Sequence, residues 1–256
     1  MATKTKLLAF HGKQETKDKY VARVKAHAKA DEIIRGEYWQ GGKGCAVGCT
    51  IHSSNHEAYE EELGIPMILA RLEDRIFEGM SNDKAMKFPL KFLSAIKVGA
   101  DLSQVWNKFA IWLLKDVRKY VKGDKKAFDA VVDGYKRMIK GESISLDEWE
   151  TIRDGAWSER TALGYIATGA ASADAAYAAD AGYIAADAAA AAAGGAGASA
   201  GAYAADAADA ASAASAYAAD AAVAADAAAE AAADAARRES FNKQAEKLLK
   251  LLKECE

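Results

Sequence analysis

The residue types best suited to chemistry in this chain crowd into one stretch, GEYWQGGKGCAVGCTIHSSN followed by His56. It carries Cys45, Cys49, His52 and His56, and two thiols with two imidazoles are the ligand types of a tetrahedral zinc site. The spacing Cys-x3-Cys-x2-His-x3-His departs from finger patterns, which have closer cysteines and a longer gap before the histidines. On one unbroken helix the four would share a face, and one face cannot wrap an ion. Zinc held by Cys45, Cys49, His52 and His56 therefore requires the glycines to break the helix. Two other readings use the same residues. Either thiol, activated by His52 or His56, would make a nucleophile, although no third orienting residue can be named. Alternatively, both cysteines are small buried hydrophobes.

The glycines of this stretch suggest a second chemistry. In Gly41-Gly42-Lys43-Gly44, backbone N–H groups could approach an anion closely, and Lys43 adds charge. The full GxxxxGK[ST] spacing is missing and no strand is predicted upstream, so a Walker loop is excluded. Tyr38 and Trp39 lie just before it. The expected ligand-binding set is therefore Tyr38 and Trp39 to stack, Lys43 and Gly44 to hold an anion, and His52, Asn55 and His56 to hydrogen-bond. No catalytic residue is assigned. Glu73 and Asp74, flanked by Arg71 and Arg75, are expected to form a solvated ion-pair face.

The elements that must position these residues read as helices, and an all-α fold is predicted. Strand alternation is nearly absent, and Pro66 and Pro89 both sit where a helix could begin. The first predicted helix spans 14–35, with Tyr20, Val21, Val24, Ala28 and Ile34 inward and Gly36 as its stop. Ser54 with Glu57 forms a capping box for a helix over 55–63 that stops at Gly64. A helix after Pro66 presents Ile68, Leu69, Leu72, Ile76 and Phe77 and closes at Gly79. Helices follow over 84–97 and 102–122, then over 125–140 with Asp124 as N-cap and Gly141 as stop. Ser145 with Glu148 launches another. From about residue 167 the sequence is alanine-rich, and YAAD recurs at Tyr177–Asp180, Tyr203–Asp206 and Tyr217–Asp220. Alanine favours helix and permits close helix seams. GGAGASAG at 194–201 divides this array, predicting closely packed antiparallel helices. An amphipathic tail over 238–254 (Phe241, Ala245, Leu248, Leu249, Leu252) is expected to pack back as a cap. Two units follow: 1–141, holding the Gly/Cys/His-rich loop, and 142–256, the array with its capping helix.

Charge and cysteine usage narrow the function classes. Residues 1–155 carry 27 Lys+Arg against 23 Asp+Glu, and residues 156–256 carry 7 against 14. Neither half is basic enough to predict direct nucleic-acid binding. Nine carboxylates between 170 and 236 are too sparse to imitate a DNA backbone, which bears a charge every ~1.7 Å. The same aspartates argue against membrane insertion, at roughly 2.5 kcal/mol or more each. Three cysteines make no disulfide framework, so the reducing cytoplasm is the expected compartment.

The stretch from KAFDAVVDGYKRMIKGESISLDEW into the Ala/Tyr/Asp array resembles the alanine-rich helical domain of bacterial immunity proteins, over about 125–252. The N-terminal portion, with YWQGGKGCAVGCTIHSSNHEAYEEELGIP and LARLEDRIFEGM, is similar to phage and prophage proteins without an assigned activity. The resemblance implies a helical protein of conflict systems that acts by binding, not catalysis. Its partner would be a bacterial toxin or defence-system protein, or a small anionic nucleotide-like ligand. No cofactor is expected unless the Cys/His set takes zinc, and self-association into a homo-oligomer stays open. A purely structural helical scaffold and a Cys/His zinc protein or thiol enzyme are the alternatives.

Overall fold

The first helix ends earlier than its apolar spacing predicts, at a turn made by Asp31. A computed structural model describes residues 6–118, 125–156 and 227–256. In it α1 spans Gln14–Lys29 and buries Tyr20, Val24 and His27. Asp31 adopts left-handed φ (56°), and the Glu32 N–H returns to the His27 carbonyl at 3.0 Å. This closes the helix well before Gly36, in the manner of a left-handed C-terminal cap. Ala28 is consequently exposed, and Ile33 rather than Ile34 is fully buried.

The glycine-rich stretch is ordered into a hairpin and a helix. Strands β1 (Trp39–Gln40) and β2 (Lys43–Gly44) pair antiparallel, Trp39 opposite Gly44 and Gln40 opposite Lys43. Gly41 and Gly42 occupy the turn with φ of 58° and 86°. A two-residue hairpin turn of this hand needs positive φ at both positions, which Gly-Gly supplies without steric cost. Helix α2 (Ala46–Ile51) follows at once, and all six of its residues are buried.

Helix α3 (Ala58–Leu63) starts later than predicted and without the Ser54–Glu57 box. Asn55 Oδ1 accepts the Glu57 N–H at 3.0 Å instead, and Ser53 Oγ accepts that of Asn55 at 3.1 Å. Gly64 ends α3 as expected, with φ of 63°. Pro66 caps α4 (Met67–Gly79), which is buried around most of its circumference, Glu73 and Asp74 included. The expected solvated ion-pair face is therefore wrong for these two carboxylates. The predicted 84–97 helix is two helices, α5 (Asn82–Ala85) and α6 (Phe88–Ala95). Helices α7 (Val105–Val117) and α8 (Lys126–Ile139) pack closely together. Across their seam the Trp106 indole N–H donates to the buried Tyr135 hydroxyl at 2.9 Å. A helical stretch over 146–156, α9, lays Trp149 on Tyr135 and against Gly134. Its Ser145 Oγ accepts the Glu148 N–H at 3.2 Å, while the Glu148 carboxylate turns to Arg137.

The last helix, α10 (Ala227–Lys253), returns to the N-terminal region. Phe241, Ala245, Leu248, Leu251 and Leu252 sink into a groove formed by α4, α6 and α7. It completes one continuous core with residues from α1, α2 and α4. The chain end is tied down too, since the Asp101 N–H donates to the Glu256 carbonyl at 2.9 Å. Helices predominate among the described residues, as expected. The Ala-rich antiparallel pairing, the YAAD repeats, Asp124 and most of the acidic stripe lie outside the described residues.

Candidate functional site

The hairpin and α2 sort the chemically able side chains into two groups on opposite sides. The cause is the alternation of side chains along extended chain. Tyr38 and Trp39 are consecutive, so their rings point apart. Trp39 stacks on His52, with ring centroids 4.5 Å apart and planes within 12°. Tyr38 meets His56 edge-on at 5.4 Å.

On the Trp39 side, three residues form a hydrogen-bonded chain. Glu32 contacts His27 Nδ1 at 2.7 Å, and His27 Nε2 faces His52 Nε2 at 2.8 Å. His27 is buried, and the Trp39 ring stands edge-on to it at 5.5 Å. His52 closes α2 in left-handed backbone (φ 57°), an uncommon conformation for a residue with a Cβ. Partial burial, then the nearby Arg23 and His27 charges, push its pKa below 6.5. The ring is therefore neutral near pH 7. The chain runs from an exposed imidazole, through a buried one, to a carboxylate, an arrangement that can orient a ring and pass a proton.

On the Tyr38 side the groups are buried. Cys45 is the N-cap of α2, its sulfur accepting the Gly48 N–H at 3.5 Å. Burial pushes its thiol well above the usual range, and neighbouring Asp74 adds to the shift. Cys49 lies toward Glu32 instead, its thiol directed at the Gly44 and Glu32 carbonyls at 3.2 and 3.6 Å, and burial pushes its pKa up to about 11. Both thiols are thus protonated near neutrality, the reverse of what a nucleophile needs. His56, 7% exposed, stands 3.6 Å from Asp74. Deeper still, the Tyr59 hydroxyl donates to Glu73 Oε2 at 2.8 Å, and Glu73 is fully buried with Oε1 unpaired. Burial raises the Glu73 pKa well above 4.5, disfavouring its ionised form.

The predicted zinc set is therefore divided. His52 faces His27 and Trp39, His56 faces Tyr38 and Asp74, and each cysteine is engaged by backbone. Among the described residues no three His, Cys, Asp or Glu side chains form a group that could hold a metal ion. Gly44 of the predicted anion cradle is used internally as well. The Gly44 N–H donates to the Glu32 carbonyl at 3.1 Å, and that of Cys45 to Glu37 and Tyr38 carbonyls at 2.8 and 3.2 Å. These donors fix the hairpin to the segment before it. Lys43 is exposed at the hairpin, Tyr38 is 52% exposed, and Asn55 is spent on its turn.

Two members escaped the sequence reading. His27 falls three and seven residues after the inward-facing Val24 and Tyr20, on the same helical stripe, and that spacing is the available signal. Glu32 carried none, because it reaches His27 only through the Asp31 turn. Among the described residues no helix is long and apolar enough to cross a membrane. Comparison with family models, curated proteins and solved structures finds no match to this chain.

Proposed function

We propose that this chain is a non-enzymatic binding protein of microbial or phage conflict. It neutralises a toxin or defence component by contact, or sequesters a nucleotide-like signal, through the hairpin face. The observation that carries this reading is the Trp39–His52 stack at 4.5 Å, braced from behind by His27 and Glu32. A braced aromatic pair loses little conformational entropy on binding, the exposed Lys43 at the hairpin turn adds a positive charge, and Tyr38 offers a second exposed ring on the other side of α2. The buried, protonated thiols favour binding over thiol catalysis.

A thermal-shift screen against cyclic nucleotides and ADP-ribose-type compounds tests the small-ligand arm. Capture of proteins from a toxin- or defence-bearing host tests the protein arm. Binding in either arm is expected to be lost in Tyr38→Ala/Lys43→Glu, whose side chains are exposed and leave the core intact. Binding that persists in that variant rejects the hairpin face. Turnover of any nucleotide, abolished by His52→Ala, replaces the binding reading with acid–base catalysis through the Glu32–His27–His52 chain.

A further inference from the structure

The outer side of α5 and α6 is a row of lysines. Residues 84–98, KAMKFPLKFLSAIKV, hold four lysines and no carboxylate. Ala85, Phe88, Phe92, Leu93 and Ile96 are buried, while Lys84, Lys87, Lys91 and Lys97 are all exposed. Met86 and Lys87 keep right-handed helical backbone between the two helices. Lys84, Lys87 and Lys91 therefore follow one another at spacings of three and four residues, which places them on one stripe. Lys97 lies just past the end of α6, and the row spans roughly 20 Å.

The neighbouring helix extends this face. α1 packs on α6 and runs the opposite way. Near its start Lys17 Nζ donates to the Ser94 carbonyl at 3.2 Å, and beyond its end Arg35 Nη1 donates to the Met80 carbonyl at 2.8 Å. The exposed Lys25 and Lys29 lie between these two ties. The exposed carboxylates of α1, α5 and α6 are Glu15, Asp18 and Asp83, and Asp18 accepts the Gln14 side-chain N–H at 2.8 Å. Among the described residues no carboxylate pairs with any lysine of the row, nor with Lys25 or Lys29.

Several anionic partners could meet such a row, and its surroundings select among them. Lodging in a membrane surface needs large apolar side chains free to enter the lipid, and those of α6 are spent in the core. Protein interfaces are poor in lysine and gather aromatic residues at their centre. Stacking on unpaired bases needs exposed rings as well. The exposed large apolar residues among those described, Leu7, Leu8, Tyr38 and Leu146, lie on none of these three helices. The backbone of a duplex needs neither apolar anchor nor ring, because phosphate contacts by lysine hold it without reading bases.

We propose that the lysine row of α5 and α6, with Lys25 and Lys29 alongside, binds the phosphate backbone of duplex nucleic acid without reading its sequence. Charge totals along the chain conceal such a surface, because only folding gathers the lysines on one face. It is separate from the hairpin face, and its test changes no residue of that face.

Fluorescence anisotropy of a labelled DNA duplex of about 20 base pairs, titrated with the full chain from about 20 to 200 mM salt, tests this. Binding is expected at low salt, with log K falling against log salt at a slope of about −3 to −4, as four contacted phosphates require. A duplex of shuffled sequence should bind equally well. Lys84→Gln/Lys87→Gln/Lys91→Gln should weaken binding at least tenfold and make the slope shallower by about 2–3. Lys243→Gln/Lys250→Gln/Lys253→Gln changes net charge equally on the exposed side of α10 and should bind as the parent does. All these side chains are exposed, so both variants should keep the parent's circular dichroism. No binding at the lowest salt overturns the proposal. Equal loss in both triple variants overturns it as well, since net charge alone would then account for the binding. Binding to phosphatidylserine vesicles but not to the duplex would give the face to a membrane and overturn it too.

Discussion

Glu73 is the residue whose environment departs furthest from what its sequence neighbours suggest. An Arg-Leu-Glu-Asp-Arg run reads as a surface ion-pair ladder, yet α4 is enclosed on most sides and the Glu73 carboxyl is fully buried against the Tyr59 hydroxyl. Its folded pKa is raised, so the native state binds a proton more tightly than the unfolded chain does. The stabilising contribution is complete below about 4.5 and declines as pH rises through the higher folded value. Glu73→Gln keeps an acceptor for Tyr59 and removes the titration. In urea unfolding followed from pH 4 to 8, this variant should lose less stability than the parent as pH rises; identical slopes would contradict a neutral buried carboxyl. His52 titrates in the opposite sense. Its folded pKa lies below 6.5, so its contribution is full above that value and is lost as pH falls. Ring proton shifts should give a His52 midpoint below 6.5, and Arg23→Ala should move it upward by removing a nearby positive charge. A midpoint unmoved by that change would remove Arg23 as a cause.

At the scale of elements, the glycines separate what was legible from what was not. Gly64 and Gly141 mark helix ends in the sequence and do so in the structure, both with positive φ. The glycines of 41–48 were read as loop, because a hairpin of two-residue strands is too short to show alternation. Gly44 and Gly48 are there for space. A Cβ at Gly48 would come within 1.5 Å of the Tyr38 carbonyl oxygen, and one at Gly44 within 2.2 Å. Backbone must cross backbone here so that Tyr38 and Trp39 straddle α2. Gly48→Ala should therefore destabilise the fold by about 2–3 kcal/mol or more, at the upper end of overpacking costs. Gly155, in α9, is the control, since its nearest neighbour is Ala127 Cβ at an ordinary 3.9 Å. Gly155→Ala should be neutral or stabilise by up to ~1 kcal/mol. Denaturant midpoints for the pair decide the point. The residues of the candidate site were mostly visible as types, but their division into two groups was not. It depends on the direction of one extended dipeptide, and on a contact between His27 and His52 that sequence distance conceals.

For the whole molecule, the chain closes on itself through α10. Its amphipathic spacing was plain in the sequence. Its destination was not, because an apolar stripe does not say which groove it fills. The Phe241 ring against Gly79 fixes that destination. Phe241→Ala should cost about 3–5 kcal/mol, the range for emptying a large aromatic from a core. An unfolding midpoint close to the parent's would mean that the last helix caps rather than completes the fold. With the frame closed in this way, the hairpin is presented as a face tied by hydrogen bonds to the Glu32–Tyr38 segment, and that presentation is what the binding reading rests on. Isothermal titration of the parent and of Tyr38→Ala/Lys43→Glu, with ADP-ribose and a cyclic dinucleotide and then with any protein captured from a host extract, tests it directly. The account predicts stoichiometric binding of one of these by the parent and its loss in the variant. Equal binding by both proteins, or none by the parent to any of them, would contradict it.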